Sequence, residues 1–182
     1  GTVAEMQTGE GKTLAAGLVA VIWGWTGRPC HIITANDYLA DRDARWLGPL
    51  YRLCDVSVGA VTGGMETAER REGYANDVAY TTSKEILADF LRDRLQLGVL
   101  QSPERRQISS LRGRTSGADG NLVMRGIHTA AVDEADSILI DEAVTPLIIS
   151  RQVPDATFVD AIQEAHRVAS GLSSGTDYRV DL

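Results

Sequence analysis

Thr8-Gly9-Glu10-Gly11-Lys12-Thr13 reads as a phosphate-binding loop. Glycines at 9 and 11 let backbone N–H groups close around an anion, Lys12 brings a compact positive charge to the outer phosphates, and the Thr13 hydroxyl can ligate magnesium. The flanks give the loop the context it needs. Thr2-Val3-Ala4 is a strand-like stub, and Leu14 to Trp25 is almost wholly apolar, as in a helix buried against a parallel sheet. The expectation is that Gly9, Glu10, Gly11, Lys12 and Thr13 bind nucleotide phosphates, with Lys12 also acting in catalysis.

A second motif completes the chemistry. The apolar strand His128-Thr129-Ala130-Ala131-Val132 runs into Asp133-Glu134-Ala135-Asp136. A carboxylate at the C-terminal end of a buried parallel strand points into the crevice where such sheets bind ligands. Asp133 is therefore expected to hold magnesium, usually through water, and Glu134 to polarise the attacking water in phosphoanhydride hydrolysis. An apolar strand followed by Asp-Glu is common by itself; beside the glycine loop it points to ATP and Mg2+ as ligands. Met6 stands where the usual loop pattern has its first glycine, a substitution that resembles the motor-ATPase and helicase branch of P-loop proteins.

At 182 residues the chain is long enough for one α/β domain with a sizeable core and a small extra element. Lys plus Arg number 18 against 25 Asp plus Glu, a net charge of −7 that argues against a large nucleic-acid footprint. Cys30 and Cys54 show neither metal-ligand spacing nor a partner pattern and read as reduced core thiols of a cytosolic protein. No secretion signal is visible, and no apolar run reaches the roughly 18 residues of a spanning helix. The chain opens without methionine just before its main motif and ends in mid-pattern, as expected of a piece of something longer.

Alternating strand and helix patterns predict a parallel sheet with helices on both faces. Cys30–Thr34 is a strand, with Asn36 or Asp37 capping a helix that turns Tyr38, Leu39, Trp46, Leu47 and Leu50 inward. Val56–Ala60 and Val78–Thr81 are further strands, the first ended by a Gly63-Gly64 turn. Thr82 and Glu85 form a capping box for a helix with Ile86, Leu87, Phe90, Leu91 and Leu95 on one side. Residues 101–127, with Arg105, Arg106, Arg112, Arg114 and Arg125, read as an exposed insertion, solvated or touching an acidic surface or anionic lipid. After Pro154 an amphipathic helix carrying Phe158, Val159, Ile162, Ala165 and Val168 opens a second domain, so the expected division is 1–150 and 151–182. His31 and His128 read as core or edge residues, His166 as solvent-facing, and Trp23, Trp25 and Trp46 as core or domain-contact residues.

Several stretches together resemble the SecA family, the ATPases of bacterial preprotein export. They are Ala4–Thr13; Thr34-Ala35-Asn36-Asp37-Tyr38-Leu39-Ala40 with Arg42-Asp43-Ala44; Phe90-Leu91-Arg92-Asp93; Val132–Ala143, continued by Thr145–Ser150; and Asp177–Asp181, which resembles the start of the family's preprotein-cross-linking domain. The resemblance implies a helicase-like (RecA-like) P-loop NTPase lobe, truncated at its N-terminus, in which Gly9 to Thr13 hold ATP phosphates and Asp133 and Glu134 serve magnesium and hydrolysis. It also implies preprotein substrates, a SecYEG-like membrane channel, a homodimer of the full-length protein, and a cytoplasmic location against the inner face of the plasma membrane. A lobe lacking the second nucleotide-binding domain, with its arginine finger, is expected to turn over ATP poorly.

Three departures point to a divergent or accessory member. Val144 replaces the usual arginine before Thr-Pro, Ser83-Lys84 replaces a usual pair of asparagines, and the 101–127 insertion is longer than the typical connection. Two other readings stay open at this level. A nucleic-acid helicase shares the loop and the Asp-Glu-Ala-Asp motif, and a scaffold module could have lost catalysis.

Overall fold

The computed structural model describes residues 1–7, 9–97, 122–142, 144, 156–173 and 175–179. The chain divides into two compact units, Gly1–Ile148 and Ile149–Leu182.

The first unit is built on four parallel strands: β1 (Cys30–Thr34), β2 (Val58–Ala60), β3 (Val78–Thr82) and β4 (Thr129–Val132), ordered β2-β3-β1-β4. In the register, Cys30 lies opposite both Val78 and Thr129, and Ile33 opposite both Thr81 and Val132. Parallel neighbours need long crossovers, and helices supply them: α2 (Asp37–Leu53), α3 (Thr67–Ala75) and α4 (Ser83–Leu97) follow β1, β2 and β3, while α1 (Lys12–Gly24) precedes β1.

Alternation along the strands assigns each residue to a face. Cys30, Ile32, Val78 and Tyr80 point to one side and pack with Ala20 and Val21 of α1 and with Ala40, Ala44, Leu47 and Tyr51 of α2. The Tyr51 and Tyr80 hydroxyls hydrogen-bond at 2.8 Å, which satisfies both phenols in that core. Ala79 points to the other side, where Val61, Tyr74 of α3, Ile86 of α4, Val123 and Met124 form a second core. Helices on both faces of a parallel sheet are the architecture that the strand–helix alternation implies.

Arg70 organises the second face. It is buried, yet its guanidinium meets Glu85 at 2.6 Å and Asp89 at 2.8 Å, and it donates to the carbonyls of Met65, Thr62 and Gly63. Tyr74 and Arg92 also donate to Asp89. One turn further along α4, buried Asp93 accepts the Val123 and Met124 amides at 3.0 and 2.9 Å. Burial pushes the Asp93 carboxyl up, against the opposing pull of those two amides.

Several expectations are corrected. Among the described residues Thr2–Ala4 forms no strand, and Val3 is 96% exposed; β4 pairs only with β1, so these residues have no strand partner there. The buried side of α1 is the small-residue side, Gly17, Ala20, Val21 and Gly24, while Leu14, Leu18, Val19 and Ile22 are exposed. Gly17 is required there, because a Cβ would lie 2.6 Å from the Leu47 side chain. Helix α2 faces inward through Ala40, Asp43, Ala44, Leu47, Gly48 and Tyr51; Tyr38 and Trp46 are exposed. Helix α4 buries Ile86, Ala88, Asp89 and Asp93, leaving Leu87 and Leu95 outside. The Thr82 hydroxyl accepts the Glu85 amide as expected, but the Glu85 carboxylate goes to Arg70 and does not close the box.

Of the expected insertion, 101–121 lies outside the described residues. Its C-terminal end is not an exposed loop: Val123 and Met124 are buried, and Arg125 donates to the Tyr74 and Asn76 carbonyls. Cys30 is buried, with its thiol pushed up to about 11, and Cys54 is half-buried. The three tryptophans are not core residues. Trp25 and Trp46 are mostly exposed, and the Trp25 indole caps the Cys54 carbonyl at 2.8 Å. In the second unit, α5 (Ala156–Ser170) is the expected amphipathic helix, and beyond it Asp177 accepts the Ser173 amide. No helix among the described residues is long and apolar enough to cross a membrane.

Two outcomes test this packing. Arg70→Met leaves buried Asp89 with only the half-exposed Arg92 as its cation and Glu85 with none from Arg70, and should cost about 3 kcal/mol in urea unfolding. His31, buried against Tyr74 with its pKa lowered by burial, is neutral in the folded protein. The unfolded chain therefore binds the extra proton, so stability should fall as pH drops below about 6.5, and His31→Gln should flatten that slope.

Candidate nucleotide-binding site

The glycine loop has the backbone its sequence requires. Gly9 and Gly11 hold φ of +89° and +84°, a region costly for L side chains, and no atom lies within 4 Å of where either Cβ would be. Gly11, which has no side chain to cap with, is the N-cap of α1, and among the described residues no side chain accepts from its first-turn amides. The first-turn amides of a 13-residue helix are thus left for a ligand, at the positive end of its dipole. The loop amide of Gln7 already donates to an oxyanion, the Glu10 carboxylate at 2.8 Å, while the Glu10 amide returns to the Gln7 carbonyl. Lys12 is exposed and has no ion-pair partner among the described residues; Thr13 is half-buried. Thr8 lies outside the described residues.

Asp133 and Glu134 leave the sheet at the end of β4. The Asp133 amide donates to the Ile33 carbonyl at 2.9 Å, carrying the β1–β4 ladder one residue past the strand. Asp133 is half-buried, and its Oδ1 accepts the Glu134 amide at 3.0 Å. Glu134 is exposed and adopts φ +54°, a left-handed conformation that a glutamate rarely takes. That turn carries the chain out of the sheet at the residue expected to act on water.

Connectivity brings the two motifs to one edge. Trp23, near the end of α1, stacks 5.6 Å from His128 at the entry to β4, and Arg28 donates to the same imidazole at 2.7 Å. The C-terminal end of α1 thus lies over the strand starts. From Lys12 to Gly24 the helix rises roughly 18 Å, against about 13 Å from Thr129 to Asp133, so α1 is long enough to carry its N-terminus back past the C-terminal end of β4. No hydrogen bond or ion pair joins the loop to Asp133 or Glu134 among the described residues.

No group of three or more His, Cys, Asp or Glu among the described residues could by itself hold a metal. Magnesium takes one or two carboxylates and completes its shell with water and substrate phosphates, so Thr13 and Asp133 fit an ion that arrives with its nucleotide.

The same edge carries a groove of about 500 Å³ between the ends of β1 and β3. Asn36, Asp37 and Tyr38 form one wall; Thr82 to Glu85 and Glu142 form the other. Asn36 caps α2 by accepting the Leu39 amide, as its position predicts, and Asp37 accepts the Gly63 amide at 2.8 Å. Across the groove Lys84 pairs with Glu142 at 2.8 Å, and the Ser83 hydroxyl donates to the same carboxylate at 3.1 Å. These two donors hold the Glu142 carboxyl below its usual range. Sequence reading noted Ser83-Lys84 only as a departure and gave Glu142 no role; nothing local marks a pair 59 residues apart.

The chain matches the SecA DEAD-like domain over residues 1–179. It is 49% identical over 181 residues to the protein translocase subunit SecA 2 of Chlorobium chlorochromatii, covering all of this chain and 27% of that protein. Against the protein translocase subunit SecA of Heliobacterium modesticaldum identity is 44% over 181 residues, covering all of this chain and 19% of that protein; for Synechocystis it is 41%, covering 17%. The chain belongs to the SecA family, with a helicase-like, RecA-type α/β fold. It spans about a quarter, or less, of the length of these relatives.

The left-handed turn yields a test independent of catalysis. Glu134→Gly should leave unfolding free energy unchanged or slightly raised, whereas branched Glu134→Val should lower it by roughly 1–2 kcal/mol.

Proposed function

We propose that this chain is the ATP-binding and hydrolysing lobe of a SecA-type motor, coupling phosphoanhydride hydrolysis to movement of preproteins through a membrane channel. The observation that carries the reading is the uncapped N-terminus of α1, with its open glycine loop, at the sheet edge where Asp133 and Glu134 emerge. In this reading the amides of Gly9 to Thr13 cradle the phosphates, and Lys12 neutralises charge on the outer ones. Thr13 and Asp133 would hold magnesium, which would supply charge stabilisation to the phosphoryl oxygens when bound. The Glu134 carboxylate orients a water and takes up its proton as the bond to the terminal phosphorus forms and the bridging oxygen departs with the electron pair.

The relatives' name, protein translocase subunit, supports a protein cargo; the reading adds preproteins, a SecYEG-like channel at the cytoplasmic face of the plasma membrane, anionic lipid and a second copy of the full-length protein as partners. The groove speaks against the helicase reading. Asp37, Glu85 and Glu142 line it against Lys84 alone, the wrong sign for a phosphodiester backbone. The presence of Lys12, Thr13, Asp133 and Glu134 together counts against a silent scaffold.

In the intact protein Glu134→Gln should keep nucleotide affinity near wild type while kcat falls about 100-fold or more. Lys12→Ala should weaken ATP binding roughly 10- to 100-fold through loss of a charge-assisted contact. Fluorescent-nucleotide titration and phosphate release measure the two effects. Wild-type turnover in both variants would refute the site. Stimulation by RNA or DNA, with none from unfolded preprotein, would refute the translocase assignment.

A further inference from the structure

The segment from Asp133 to Glu142 is tethered at its two ends and barely packed between them. At the near end the Asp133 amide is fixed to Ile33 of β1 at 2.9 Å. Between the ends, the Ile138 amide returns to the Glu134 carbonyl at 3.2 Å, and Ser137–Asp141 forms a π-helical turn closed by the Glu142 amide on the Ser137 carbonyl at 3.2 Å. No residue of that turn is fully buried: Ser137 and Ile138 are half-buried, and Leu139 and Ile140 are mostly exposed. Hydrophobic packing therefore does little to hold Glu134 in its left-handed conformation. The far end is held by charge: Glu142 accepts from Ser83 at 3.1 Å and Lys84 at 2.8 Å.

Those donors stand on a rigid support. They open α4, whose next turns are fixed by buried Ile86, by Asp89 in the Arg70 network and by Asp93 on the Val123 and Met124 amides. The pair itself is softer, with the Lys84 side chain 54% exposed and that of Glu142 30% exposed, on the wall of the 500 Å³ groove. It can be broken by salt, or by whatever enters the groove, without disturbing either core. We propose that Ser83, Lys84 and Glu142 are positioning residues for hydrolysis: the Lys84–Glu142 pair fixes the far end of the Asp133–Glu142 segment and so holds Glu134 in register for its water. The proposal rests on the assignment of Glu134 to hydrolysis and adds the residues that aim it.

The test uses the intact protein, with phosphate release, nucleotide titration and amide exchange read together. Lys84→Met and Glu142→Gln should each lower kcat about threefold, the scale of a half-exposed ion pair, with KM for ATP and nucleotide affinity unchanged. The double charge swap Lys84→Glu with Glu142→Lys should recover most of that loss. Raising salt from about 50 to about 500 mM should lower wild-type kcat toward that of Lys84→Met while leaving the variant flat. Amides from Glu134 to Glu142 should exchange faster in Lys84→Met and return toward wild type in the swap. Unchanged kcat and exchange, an effect confined to KM, or a swap as slow as the single variants would overturn the proposal. Lys12→Ala separates the two levels. If it turns over like wild type, the nucleotide site itself is misassigned; if it is inactive while Lys84→Met is indistinguishable from wild type, only the positioning role falls.

Discussion

The parallel pairing of β1 with β3 on one side and β4 on the other is the constraint on which everything else hangs. Residues 30, 78 and 129 lie abreast, so chain segments far apart in sequence end at one edge. The hydrogen bond from the Asp133 amide to the Ile33 carbonyl is the last rung of that ladder, and it brings a carboxylate to the level where α1 begins. The strands run the same way and each crossover helix runs back against them, so each strand's C-terminal turn opens onto the same side. The Asn36 cap, the Ser83-Lys84 corner and Asp133-Glu134 all follow strand ends on that side for this reason.

The two faces of the sheet solve different problems. Beneath α1 and α2 the packing is apolar and close, with Gly17 letting α1 approach Leu47 and Tyr51. Beneath α3 and α4 an apolar core is joined to an ionic one, since Arg70 gathers Glu85, Asp89 and three carbonyls in a space largely closed to water. Charges so buried are costly unless every donor and acceptor is met. Here the geometry meets them while tying the Thr62–Gly63 turn to both helices. The turn in turn supports Asp37 across the groove through the Gly63 amide. The groove wall is therefore continuous with that network through Glu85, which lines the groove and pairs with Arg70, and α4 serves as a fixed point for Glu142.

Much of this was legible from local pattern. Strands at Cys30–Thr34 and Val78–Thr82, the Asn36 cap, the glycine loop and the amphipathic helix Ala156–Ser170 follow from rules that involve only a few consecutive residues. The inward faces of the helices did not. On α2, Tyr38 and Trp46 lie outside while Tyr51 and Leu47 lie inside with Ala40, Ala44 and a satisfied Asp43, a choice among similar side chains that depends on which stripe of the helix meets the sheet. On α4, Asp89 and Asp93 are buried because partners elsewhere in the chain meet them, and a residue's own hydropathy carries no record of such partners. The strand-like stub Thr2–Ala4 failed for a similar reason, since an extended segment becomes a strand only when a neighbour's ladder accepts it.

By itself the sequence determined the chemistry at each point. It set glycines where φ must be positive, a lysine and a threonine at a helix start, and an acidic pair after an apolar strand, and it identified the SecA family through stretches of consecutive residues. Those properties are local, fixed by the residues and their immediate neighbours. Only the tertiary structure decided which of these points meet. It carried Asp133 one rung past β4 beside Ile33, turned Glu134 into the left-handed region, buried Arg70 among carboxylates and set Lys84 against Glu142. Such meetings depend on strand order and register, long-range quantities that no short window of sequence contains.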